Sequence, residues 1–257
     1  MFDLNNFVID RIVRGVALSQ KDDSVLFSIN QIQNASLNCA SESTDAVDAM
    51  GTPIATFYRA KSAEFSAENA LFDMNLMATQ LGTTKKVASA TSKVTAPAME
   101  SFTAEGGKYV LKHAPKAAPA EVYAINGDST FGKKYKKGTS ATADAFAYTD
   151  ADHTITLPTG VAAGTEMFVM YEYETENAVE VVNSAKNFPV GCKFVMEVLG
   201  CDVCDQTNLV YAYVIFNNAK LSPDFDWSIA TDGTHPFSMK AQQDYCDKEK
   251  RLELMAA

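Results

Sequence analysis

The sequence is poor in the residues that build reaction centres. Its three histidines, His113, His153 and His235, stand far apart, with no HExxH and no Cys–His spacing, which argues against a zinc hydrolase. There is no Walker loop, no GxGxxG and no GxSxG elbow, so nucleotide-dependent and serine-hydrolase chemistry lack their usual scaffolds. The five cysteines (Cys39, Cys192, Cys201, Cys204 and Cys246) are odd in number and scattered, unlike a secreted disulfide framework. Reduced, mostly buried thiols are expected. Cys201-Asp-Val-Cys204 has the spacing of half a zinc site or of a redox pair. The other half of a zinc site is missing, and the pair falls between expected strands rather than at the start of a helix, so it reads as a turn. No apolar run approaches the roughly 20 residues that span a bilayer; the longest, around Val210 to Phe216, is strand-length. The first residues, MFDLNNFVIDRIVRG, carry no charged region followed by an apolar block and a small-residue cleavage site, which points to folding in a cytoplasm.

What is present is apolar and acidic. Hydrophobic residues make up 47% of the 257, enough for a sizeable core in one or two domains. The net charge of −10 is unevenly placed. Lys85 to Gly138 holds ten lysines and four acids, and the remainder holds 12 basic and 28 acidic residues. An acidic body grips nucleic acid poorly, because phosphate binding needs basic groups that release counterions. It suits a surface that nucleic acid passes without sticking. Glu172, Glu174 and Glu176, and Asp224 and Asp226, alternate along expected strands, which reads as solvated faces. The lysines around Lys133, Lys134, Lys136 and Lys137 read as a solvated turn. Nothing in these patterns marks an active site, a metal site or a cofactor.

Most of the chain has the texture of strands and turns. Val25 to Ile32 alternates, and residues 1–20 read as an arm or strand. Leu37 to Met50 reads as a loop or a strand with a solvent face. Gly51 to Gly82 (GTPIATFYRAKSAEFSAENALFDMNLMATQLG) opens as a strand and then changes period. Ala67, Ala70, Leu71, Met74, Met77, Ala78 and Leu81 fall at three- and four-residue steps, which predicts a helix of about four turns over 66–81. Ser66 is its expected N-cap and Gly82 its stop. Leu71, Met74, Met77 and Leu81 would pack that helix on a sheet. Thr83 to Ala98 reads as a linker. From there to about Glu180 short strands alternate with turn signals, which predicts a small all-β module of sandwich type. Cys192 to Leu199, Leu209 to Phe216, Phe225 to Ile229 and Phe237 to Ala241 read as strands of a resumed main domain, with a turn at Asp232-Gly233 and His235 on the surface. Lys248 to Ala257 reads as a charged tail.

Two stretches carry a resemblance. Asp45 to Gly82 resembles the acidic loop, strand and helix of the tail tube proteins (major tail proteins) of tailed bacteriophages. Tyr211 to Gln243 (YAYVIFNNAKLSPDFDWSIATDGTHPFSMKAQQ) resembles the last strands of that family. The resemblance implies a mainly β chain: a tube-type β-sandwich or barrel domain over 1–94 and 181–257, one principal packed helix, and an inserted Ig-like module over 95–180. It implies a structural virion protein and no enzyme or cofactor. Hexameric rings would stack into a tube through which genomic DNA passes without specific binding, in a tail assembled in the host cytoplasm without a membrane. Partners would be further copies of itself and other tail proteins at the tube ends, and an inserted module favours a long, non-contractile tail. Glu42, Asp45, Asp48, Asp224 and Asp226 become candidate acids of the lumen or its loops. The alternatives are another virion component (capsid, decoration or baseplate) and a carbohydrate-binding adhesin module.

Overall fold

A computed structural model describes residues 6–243 and 252–256. The chain lays down β1 (Phe7–Ser19), β2 (Val25–Ile29), β3 (Ile32–Val47), β4 (Pro53–Asn69) and the helix α1 (Met74–Gln80). There follow β5 (Lys86–Val87), β6 (Val94–Thr103), β7 (Lys108–Val110), β8 (Glu121–Ile125), β9 (Phe131–Gly138), β10 (Ala145–Thr149), β11 (Thr154–Thr156), β12 (Glu166–Thr175) and β13 (Val179–Glu180). The last strands are β14 (Gly191–Asp202), β15 (Asp205–Leu221), β16 (His235–Ala241) and β17 (Glu253–Ala256). The chain is mainly β with one helix among the described residues, and it divides into two compact units. The first comprises residues 1–85 and 181–257, the second residues 86–180.

The first unit is one sheet in the order β2-β1-β14-β15-β16-β4-β3, with β17 added to β15. Its inward positions alternate along the strands: Ala63, Phe65, Ala67 and Asn69 on β4, Cys192, Phe194, Met196 and Val198 on β14. Phe27 on β2 and Phe237 on β16 are four strand steps apart in this order, about 19 Å on a flat sheet. Their rings lie 6.5 Å apart. The sheet is therefore curled, and its concave side is filled by Phe27, Phe65, Phe194, Phe216 and Phe237, whose neighbouring rings are 5.6–6.5 Å apart. Gly15 on β1 leaves room for side chains brought in by this curl. A Cβ there would come within 2.8 Å of Ile32 on β3, the strand at the far end of the order.

The expected four-turn helix is corrected. Residues 66–69 are strand, and α1 has seven residues. Ser66 pairs across the sheet with Ser36 and Ser238, while Asp73 is the N-cap and accepts from the N–H groups of Asn75 and Leu76 at 2.9 and 2.7 Å. Alanine explains the misreading, since Ala63, Ala67 and Ala70 suit either period and two strands compete for the backbone of 64–69. Leu71 precedes the helix and is 61% exposed. Met74 and Met77 are half-buried, Leu81 is buried, and the side chain that anchors α1 in the core is Leu76, fully buried. Gly82 does end the helix at φ +65°, with Gly82 N–H donating to Thr79 O and Thr83 N–H to Ala78 O.

The second unit is all-β. Its main sheet runs β6-β12-β8-β9-β10-β11-β7, and a short β5–β13 pair stands beside it. The terminal strands meet, because Phe102 on β6 stacks on Tyr109 of β7 at 3.7 Å, so this sheet also curls. Val122, Phe146, Ile155, Met167 and Val169 fill it. The linker reading holds only in part, since β6 begins at Val94 and carries Pro97 on an edge, where a missing N–H costs no ladder bond. The lysine-rich turn is strand β9: Tyr135 points inward, and Lys134 and Lys136 stand opposite Tyr123 and Glu121. Phe225 to Ile229 lies outside any strand. Of the expected tail, residues 253–256 form β17; Lys248 and Cys246 lie outside the described residues.

Candidate functional site

The most exposed apolar feature of the first unit is the hairpin of β3 and β4. Its sequence alternates Ile54, Thr56 and Tyr58 with Ala55, Phe57 and Arg59, and the strands pair from Val47↔Pro53 back to Ile32↔Asn69. From Glu64 onward β4 also pairs on its other side with β16, and from Ala63 onward its alternate residues are buried. Before Ala63 every residue of β4 is exposed, as is β3 beyond Ile32. The outer half is thus a two-stranded arm with both faces in solvent. It carries Phe57 at 55% and Tyr58 at 72% exposure, with Val47, Met50 and Ile54 also exposed. Isolated two-stranded hairpins are marginal in water, and clustered apolar side chains on one mark a contact surface. A register shift between Ala40 and Glu42, with Ala60 at φ +46°, sets a bulge where the arm leaves the sheet. Among the described residues β3 has one strand neighbour, so the other edge of a 16-residue strand offers its N–H and C=O groups outward.

The acids singled out from the sequence fall in two places. Glu42 and Asp45 lie on the arm, opposite Arg59 and Thr56. Asp48 builds the arm's tip: its carboxylate accepts from Met50 N–H at 2.8 Å and Thr52 N–H at 2.9 Å, which lowers its pKa, the Thr52 bond contributing most. Asp224 and Asp226 line a recess of about 430 Å3 together with Glu68, Asn34 and Thr234.

His235, expected on the surface, lies in the interior. It is fully buried, with Nε2 2.8 Å from Gln80 Oε1 and Nδ1 accepting from Asp73 N–H at 3.3 Å. Phe72 lies stacked between its ring and Trp227, at 5.0 and 4.2 Å. Burial pushes its pKa down, against an opposing pull from Asp73. This knot fixes the start of α1 and the loop before β16. Other buried polar groups are equally structural. Glu197 accepts from Arg14 Nε at 2.8 Å and from the Tyr213 hydroxyl at 3.2 Å, across three neighbouring strands. Cys201 and Cys204 sit at the β14–β15 hairpin, Cys192 is buried with its thiol pKa pushed up to about 12 by burial, and Cys39 is exposed on β3. Among the described residues no three His, Cys, Asp or Glu side chains converge as a metal site would require. Among the described residues no helix is long and apolar enough to cross a membrane.

A family model, the YomU/Tube protein family, matches residues 7–250. The chain belongs to that family. No curated protein matches the chain. The family is consistent with a phage tail tube protein, a structural component of the virion tail that assembles with other tail proteins.

Proposed function

We propose that this tube-family chain assembles into rings, six subunits to a ring, that stack into the conduit of a phage tail. The observation that carries the reading is the exposed β3–β4 arm together with the open edge of β3. An edge of this length is an aggregation hazard in a monomer and a joint in an assembly. A contact that joins the arm of one copy to a different surface of the next is heterologous, and such contacts grow rings and open filaments. The acid excess outside Lys85–Gly138 suits a channel that repels phosphate, with Glu42, Asp45, Asp48, Asp224 and Asp226 as its candidate acids. DNA then passes without specific binding, and the role is structural rather than enzymatic. The inserted unit adds a decoration to the tube fold, assembly takes place in the host cytoplasm, and a long, non-contractile tail leaves room for such a decoration. Negative-stain electron microscopy of the purified protein, with mass by analytical ultracentrifugation, tests this. Rings or tubes with a mass of six subunits or more are expected. A monomer at every concentration overturns the reading.

A further inference from the structure

The second unit carries a ring platform that its own packing does not explain. His113 lies flat on Tyr173, the ring centroids 4.0 Å apart and the planes within 7°. His113 is exposed, in the segment after β7, so an exposed loop side chain is held in register with a strand residue. The holding device is buried. Glu100, 3% exposed, accepts from the Tyr171 hydroxyl, from the Tyr109 hydroxyl at 2.7 Å and from Lys112 N–H at 3.1 Å. The Tyr171 oxygen in turn accepts from His113 N–H at 3.0 Å. A satisfied buried network of this kind rigidifies what it touches, here the backbone at 112–113 that presents the imidazole.

The platform floors a recess of about 490 Å3 rimmed by Lys93, Glu174, Glu176 and Asn177. The rim's carboxylates are both paired: Glu176 lies 3.3 Å from Lys93 of the rim, and Glu174 lies 3.9 Å from Lys116, which stands outside the lining. Among the described residues the His113 ring nitrogens, the Tyr173 hydroxyl and the Asn177 carboxamide take no protein hydrogen-bond partner, so their capacity faces the recess or solvent. The lining itself holds two carboxylates and one ammonium, and Lys116 beside Glu174 balances the second carboxylate, so neither an anion nor a cation finds a net opposite charge there. The complementary ligand is neutral, with a flat C–H face to lie on the rings and an edge of hydroxyl or amide groups for the rim.

We propose that the His113–Tyr173 recess is a binding site for a neutral saccharide. The site lies wholly in the inserted unit, so it does not depend on how the first unit assembles. Saturation-transfer-difference NMR on the full-length protein tests it, with three neutral trisaccharides as probes: β1,4-linked glucose, α1,4-linked glucose and β1,4-linked N-acetylglucosamine. At least one is expected to receive saturation at its ring C–H protons. H113A is expected to weaken that probe about tenfold, and N177A to weaken it less, while thermal midpoint and particle form stay as in the parent. A 6-phosphorylated version of the same sugar is expected to bind more weakly. The proposal is overturned if none of the three probes receives saturation, if H113A binds as the parent does, or if the phosphorylated sugar binds more tightly.

Discussion

At His235 both ring nitrogens are committed: Nδ1 accepts from Asp73 N–H, so the ring proton resides on Nε2 and points to Gln80 Oε1. Protonation would set a second N–H against the Asp73 N–H in a buried place. The native pKa is therefore depressed below the ordinary 6.5, and the unfolded chain binds the proton more readily. Stability is full above about 6.5 and falls as pH drops from there towards the depressed native value. Thermal unfolding between pH 7.5 and 5 should show a declining midpoint in the parent and a flatter profile in H235Q. None of this was legible in the sequence. A lone histidine has no periodic signature, and its partners Phe72 and Gln80 lie more than 150 residues from it in the chain. Asp48 shows the same limit from the other side. It reads as a candidate channel acid, yet its carboxylate is engaged in closing the hairpin tip.

Among elements, α1 and the arm divide the roles that the Gly51–Gly82 stretch suggests. The helix is legible in position but not in length, because alanine-rich strand β4 mimics a helical stripe. Its anchor follows from burial: Leu76→Ala should cost about 2–5 kcal/mol in chemical denaturation, while Leu71→Ala should stay within about 0.5 kcal/mol, since Leu71 is largely solvated. The strand half of the stretch was plain from alternation at Ile54 to Arg59. That it would project as a two-faced arm was not, because exposure of both faces depends on β16 pairing with β4 no further out than Glu64. The double variant F57D/Y58D should keep the parent's thermal midpoint and lose large assemblies in ultracentrifugation, which separates an assembly surface from a packing one. Strand β9 was hidden by its lysines: four cations around Tyr135 look like a tip until the inward tyrosine is paired with Val122.

For the whole molecule, the β-rich class and an all-β middle block were readable from turn spacing and the near-absence of helical periodicity. The curl of each sheet was not, since it depends on Phe27 meeting Phe237 and Phe102 meeting Tyr109 across strands far apart in order. If the acid excess keeps DNA from adhering, the reversal D224K/D226K, at exposed residues away from the arm, should leave particle form unchanged under the microscope and slow genome release from reconstituted tails. No change in release would remove these two residues from the channel wall. The second unit begins and ends on a paired rung, Lys86 opposite Glu180 and Val87 opposite Val179, so its two ends lie about 5 Å apart. A guest whose termini are that close leaves its host a gap that a very short bridge can close. Replacing Lys86–Glu180 with about four Gly/Ser residues should therefore yield a folded first unit with a cooperative melt. By the same geometry the position is an exchange socket: any domain with adjacent termini can be seated there, and if the host polymerises, one passenger is shown per subunit at the regular pitch of the polymer.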